Sequence, residues 1–169
     1  MCFTIRPAQP DDMEFILQSD YMVTFESLNA HDQERIPLSR IQDLVATEDF
    51  RVISNDLSRV LIGEMSGIPC GLIWFGEKDH HLSGETEGWI YLLRVSEDFR
   101  GAGIGRALID AVIEIFAARK TRSVGLMVSS HNEGAIRLYE KMGFSDETKI
   151  MRVYPAEVAR QDKSVPKHS

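Results

Sequence analysis

Three glycines within six residues, Arg100-Gly101-Ala102-Gly103-Ile104-Gly105, stand directly before a run of apolar residues spaced by three and four. Glycine permits positive φ and lets an anion approach backbone N–H groups without meeting a Cβ, and a helix start adds roughly half a positive charge. The stretch is a candidate phosphate cradle. Two common cradles are excluded by the neighbouring residues. A dinucleotide fingerprint would carry glycine at position 106 and an acid about 20 residues on, where this chain has Arg106, Gly125 and Leu126. A P-loop would close on Gly-Lys-Ser/Thr, but Gly105 is followed by Arg106 and Ala107.

The elements that must position this turn are readable on both sides of it. Trp89 to Val95 is continuous, aromatic and branched, the pattern of a strand covered on both faces, and is expected in the middle of a sheet. Ile104, Ala107, Leu108, Ala111, Val112, Ile115 and Phe116 predict an amphipathic helix after the glycines. Upstream, Thr4 to Pro7 reads as a strand, and Asp11-Asp12-Met13-Glu14 carries the spacing of a capping box that opens a helix. A weaker helical pattern covers Asn29 to Thr47, interrupted near Pro37. Val60-Leu61-Ile62, a Ser66-Gly67 turn and Pro69 to Phe75 predict a hairpin, followed by a polar loop from Gly76 to Thr86. Downstream come a strand at Ser123 to Ser129, a helix from Asn132 to Met142 ended by Gly143, and a last strand at Lys149 to Tyr154. The polar tail 156–169 is expected to be poorly ordered.

A chain of 169 residues, 43% hydrophobic and 27% charged, has the size and balance of one soluble domain. No apolar run approaches the roughly 20 residues of a membrane span, and no signal-peptide pattern opens the chain, so a cytoplasmic protein is expected. Cys2 and Cys70 are too few for a disulfide scaffold and lack metal-ligand spacing; reduced thiols and no metal are expected. A net charge of −7 argues against nucleic acid, whose binding needs clustered cations. Ten of the acids crowd into the first 50 residues against three arginines. That segment is either a solvated acidic helical face or an electrostatic lure for cations.

The glycine turn also belongs to a larger pattern. Val95 through Gly105, with Arg100, Gly103 and Gly105 at the key positions, resembles motif A of the GNAT acetyltransferases, a strand followed by Arg/Gln-x-x-Gly-x-Gly/Ala. Asn132, Ala135, Tyr139, Gly143 and Phe144 match motif B of the same superfamily without a gap. Ile5-Arg6-Pro7-Ala8 with Asp12 is similar to the family's opening, so the resemblance spans most of Met1 to Tyr154. It implies an α/β (α+β) GNAT domain over 1–155, a mixed, mostly antiparallel sheet splayed at the cofactor site and flanked by helices.

The resemblance further implies that acetyl-CoA is the co-substrate and a primary amine the acceptor, with a homodimer as a reasonable assembly. Its pyrophosphate would rest on Arg100, Gly101, Ala102, Gly103, Ile104, Gly105 and Arg106, and its pantetheine arm against Leu93 and Val95. The Leu93 N–H would stabilise the developing oxyanion, Tyr139 would protonate the departing thiolate, and Asn132 would contact the pantetheine arm or cap its helix. Where many relatives carry a glutamate as general base, this chain has Trp89. Glu87, two residues earlier on the same strand face, is the best substitute; His80, His81 and water are the others. Trp89 and Tyr91 are candidates for the acceptor pocket. The competing function is a non-catalytic acyl-CoA-binding or interaction module on the same fold.

Overall fold

The computed structural model describes residues 2–80 and 83–155. Five strands form one sheet in chain order: β1 (Thr4–Pro7), β2 (Val60–Met65), β3 (Ile68–Asp79), β4 (Thr86–Val95) and β5 (Val124–Leu126). Neighbouring pairs are antiparallel except β4 and β5, which run parallel and meet only over Gly88 to Ile90. Helices α1 (Met13–Ser27), α2 (Ala30–Arg35), α3 (Leu38–Leu44) and α4 (Phe50–Asn55) lie between β1 and β2, with a π-helical turn at Val45–Asp49 joining α3 to α4. Helix α5 (Ile104–Ala118) connects β4 to β5, and α6 (Glu133–Lys141) follows.

Most expected elements form close to their predicted places. The hairpin turns at Ser66 and Gly67, whose φ values of 53° and 79° need the left-handed region. Pro37 separates α2 from α3. Four expectations are corrected. β4 is an interior strand but not the middle one, because β1 and β2 lie beyond the long β3 and only the short β5 lies beyond β4. The polar loop is shorter than Gly76 to Thr86, because Glu77, Lys78 and Asp79 continue the ladder opposite Gly88, Glu87 and Thr86. Helix α1 opens through a 3₁₀ turn, Pro10–Asp12, in which Asp12 accepts from the Gln9 N–H at 2.8 Å. Asp12 also takes a two-point pair from Arg6 at 2.7 and 2.9 Å, so its carboxylate ties β1 to the helix rather than capping α1. Finally, Lys149 to Tyr154 forms no strand. Its apolar residues come in adjacent pairs rather than alternating, Ile150, Met151 and Val153 are exposed, and β5 offers a ladder of only three residues. The tail 156–169 lies outside the described residues.

The sheet is covered on both faces. On one, Ile104, Leu108, Ile109, Val112 and Phe116 of α5 pack on Leu61, Ile73, Phe75 and Ile90. On the other, Ile16 of α1 and Ile53 of α4 pack on Val60, Ile62, Leu72 and Leu92. Phe116 reaches the backbone of β4 because position 88 is glycine; a Cβ there would stand 2.8 Å from its ring. Among the described residues no helix is long and apolar enough to cross a membrane.

Candidate active site

A bulge in β4 sets the geometry. Trp74 faces Leu92 while Phe75 faces Ile90, so Tyr91 is the extra residue. One inserted residue reverses the alternation of both side chains and backbone groups. Gly88 and Ile90 face α5, yet so do Leu93 and Val95, while Leu92 turns to the α1 side. The Ser96 N–H donates to Cys70 O of β3 at 2.8 Å, so by alternation the N–H groups of Leu93 and Val95 point to the opposite edge. On that edge β5 has already left, its last pair being Ile90 with Leu126. Among the described residues the strand therefore presents unpaired donors at Leu93 and Val95 along an open edge.

The glycine turn stands at the end of this edge. Gly101 and Gly103 have φ of 79° and 84°, and a Cβ at either would meet nothing within 4 Å. The glycines are therefore required by the backbone and not by crowding within the fold. Gly103 caps α5 without a side chain to accept from the first turn, and the first helical bond is Ala107 N–H to Gly103 O. The N–H groups of Ile104, Gly105 and Arg106 thus have no intrahelical acceptor and point out of the helix start. Arg100 folds back so that its Nε donates to Val95 O at 3.4 Å, and Arg106 sits 3.6 Å from Asp110. This cradle fits an anion such as a pyrophosphate.

Helix α6 closes the third side. A Cβ on Gly105 would lie 3.5 Å from both Val95 Cγ2 and Leu138 Cδ2, so turn, open strand and α6 meet at one point. Gly143, at φ 90°, reverses the chain and sends Phe144 back onto Tyr139. Burial pushes the Tyr139 phenol up to about 12. Asn132 caps α6, its Oδ1 accepting from Ala135 N–H at 3.1 Å. The amide nitrogen of that side chain has no hydrogen-bond acceptor among the described residues.

The sequence pattern of the acetyltransferase (GNAT) family matches residues 16–144. The chain belongs to the GNAT family. It is 35% identical over 95 residues to a mycothiol acetyltransferase of Propionibacterium freudenreichii, covering 56% of this chain and 30% of that protein. It is 28% identical over 151 residues to an uncharacterized N-acetyltransferase of Methanocaldococcus jannaschii, covering 86% of this chain and 62% of that one. The chain thus spans less than two thirds of these relatives' lengths. Its fold matches that of an aminoglycoside N-acetyltransferase in complex with CoA, with a TM-score of 0.65 at 15% identity over 90% of this chain and 94% of that one.

In this GNAT domain the residues suggested for the acceptor side separate. Glu87 is buried and lies 3.7 Å from Lys78, its partner across β3 and β4. The same Lys78 Nζ sits 3.0 Å from the centroid of Trp89, whose indole also covers Gly125, where a Cβ would come within 2.5 Å. Trp89 is therefore packed between a lysine and β5. Tyr91 instead is 43% exposed, stacks on Trp74 with ring centroids 4.8 Å apart, and donates to Glu77 O at 3.3 Å. His80 belongs to the connection after β3, 3.3 Å from Ser83 N, and His81 lies outside the described residues.

Tyr91 and Trp74 line a cavity of about 560 Å³ with Asp20, Thr24, Asp49, Val52, Asp56 and Arg59. The sequence places Asp20 and Asp49 in the acidic first 50 residues, read there as either a solvated face or a lure for cations, and its acids alone single out neither. The signal was present in α1, where Ile16, Asp20 and Val23 recur at spacings of four and three and put Asp20 on the stripe facing the sheet. Asp20 is 6% exposed, and burial followed by the neighbouring Asp49 carboxyl pushes it up to about 7.

Proposed function

We propose that this GNAT domain transfers an acetyl group from acetyl-CoA to a primary amine of a small molecule or peptide by direct attack. The observation that carries this reading is the continuity of unpaired backbone donors from Leu93 and Val95 to the left-handed glycines and the first turn of α5. That track suits an extended arm ending in a pyrophosphate, and a similar fold holds CoA in the aminoglycoside acetyltransferase. Gly101 to Arg106 would bind the pyrophosphate, Leu93 and Val95 would pair with the pantetheine arm, and Asn132 would offer it the free amide nitrogen.

In this reading the Leu93 N–H donates to the thioester carbonyl oxygen and stabilises the negative charge that develops as the amine attacks carbon. The new C–N bond forms as the C–S bond breaks, Tyr139 O–H delivers its proton to the departing sulfur, and the proton that the nitrogen sheds on becoming an amide restores the phenol through solvent. With the phenol near 12 and a thiol near 8.5, a separate proton-transfer step would be uphill by about 3.5 units, roughly 5 kcal/mol. Transfer is therefore concerted with C–S cleavage, where the accepting sulfur is most basic. An alkyl ammonium, with a reference pKa of about 10.4, must also lose a proton before attack, at a cost of roughly 4.6 kcal/mol at pH 7. Glu87 receives that proton through water, since an extended strand carries it about 20 Å from Leu93.

Incubation with acetyl-CoA and a panel of amines, following free thiol and the acetylated product, tests the reading. Thiol appearing in proportion to an acetylamine supports it. Tight CoA binding with no amine-dependent thiol across the panel would instead make the domain an acyl-CoA-binding module.

A further inference from the structure

We infer that the cavity beside Tyr91 is a cation subsite that seats one ammonium of a small aliphatic di- or polyamine acceptor between Asp20 and Asp49. The inference rests on the acetyl-transfer reading for its catalytic consequence, although the binding it describes does not.

The starting point is a buried oxygen that no donor reaches. Asp20 is 94% buried, its Oδ1 accepts only a long 3.4 Å contact from the Thr24 hydroxyl, and its Oδ2 has no donor among the described residues. The group facing it from the π-helical turn is Asp49, another carboxyl, so a hydrogen bond between the two requires a shared proton. Asp20 has lost nearly all contact with water and the half-buried Asp49 places a like charge beside it, so the pair is costly without a counter-charge. Among the described residues no cation is paired with either carboxyl: Arg59, the basic residue of the lining, is committed to Asp56 at 2.8 Å.

The remaining walls are of the type that suits an alkyl ammonium. The faces of Trp74 and Tyr91, tilted by 32°, and the side chain of Val52 offer aromatic and aliphatic surface to methylenes and ring faces to a positive charge. An ammonium brings three donors, enough to bond the Asp20 and Asp49 carboxyls together, whereas an anion or a neutral hydrocarbon would leave both unsatisfied. A cavity of about 560 Å³ is of small-ligand size.

Its place in the fold joins it to the chemistry. Tyr91 is the bulge residue, next after Ile90, where β4 and β5 part. A ligand held against Tyr91 therefore sits beside the point at which the edge opens toward Leu93. One amine seated on the two aspartates leaves a second, a few methylenes away, to face that opening. With Asp20 pushed up to about 7, the empty pair holds a proton near neutrality that an entering ammonium displaces. The groups bearing on this exchange are Asp49 and its neighbour Glu48, Thr24, and the lining residues Asp56, Arg59 and Tyr91.

Calorimetry on the full chain with 1,5-diaminopentane and 1-aminopentane as probes tests the subsite directly. Both amines should bind at least ten-fold more tightly than the uncharged 1-pentanol, with proton release at pH 6.5 visible as a buffer-dependent enthalpy. Asp20→Asn and Asp49→Asn, each near-isosteric and each removing buried repulsion, should erase most of that preference and the proton release while leaving CoA affinity unchanged. The ratio of kcat/KM for the two amines should fall in parallel. Equal affinity for the amines and 1-pentanol, or an undiminished preference in both folded variants, overturns the proposal. Selective amine binding without acetylation of either amine would sustain the subsite and remove the catalytic reading. Equal acetylation of both amines, unchanged in the variants, would do the reverse.

Discussion

The ring of Tyr139 meets that of Phe144 edge-on, with centroids 5.8 Å apart and planes at 62°. The contact depends on the left-handed Gly143 between them and is reinforced by the Phe144 N–H donating to Tyr139 O at 3.1 Å. Packing of the tyrosine ring is thus separable from its hydroxyl, for which the described residues supply no hydrogen-bond partner. Tyr139→Phe should keep the fold within about 1 kcal/mol, leave CoA affinity within two-fold and lower kcat by roughly 10²-fold or more, the usual scale for losing a positioned acid. Steady-state kinetics beside a thermal melt would check this, and equal turnover in the two proteins would remove Tyr139 from the chemistry.

The role proposed for Gly103 depends on its backbone conformation. A valine there must hold φ near 84°, which costs a β-branched residue about 1–3 kcal/mol, although its Cβ meets no atom of the protein within 4 Å. Gly103→Val should therefore remain folded with a lowered Tm and lose at least ten-fold in CoA affinity by calorimetry. A folded variant with unchanged affinity would move the pyrophosphate elsewhere.

Glu87 is buried next to Lys78, so its exchange for glutamine removes one charge from a close pair. As the proton acceptor it would matter most where the amine is still protonated. Glu87→Gln should slow acetylation several-fold at pH 7 and converge on the parent rate by about pH 9.5, as more amine becomes neutral unaided. A pH–rate profile superimposable on the parent's would pass the role to water.

The buried Asp20 also predicts a pH dependence of stability. Its folded-state pKa near 7 lies above its ordinary value of 3.8, so the folded protein holds this proton more tightly than the unfolded chain. The resulting stabilisation is complete below about pH 3.8 and is lost as pH rises through about 7. Asp20→Asn, which cannot ionise, should raise Tm more at pH 8.5 than at pH 5. Differential scanning calorimetry at the two values would show it, and an equal Tm change at both would mean that Asp20 ionises freely in the fold.

Much of the machinery was legible because it is local. The spacing of Gly101, Gly103 and Gly105, the apolar stripe of α5, the Ser66-Gly67 hairpin and the Asn132-to-Gly143 helix each depend on residues within a few positions of one another, so sequence alone determined them. What tertiary structure decided depends on partners far along the chain. The bulge at Tyr91 appears only when β3 and β4 pair, and it reverses which residues of β4 face α5 and which N–H groups reach the open edge. The Lys149–Tyr154 segment has branched residues suited to a strand but no ladder to join. Asp20 reads as one acid among ten, and becomes a buried carboxyl with one oxygen lacking a donor only because α1 sets its apolar stripe on the sheet and the π-helical turn carries Asp49 against it. Local spacing selects helix or strand, but the cost of burying a charge is set by whatever the rest of the chain brings beside it.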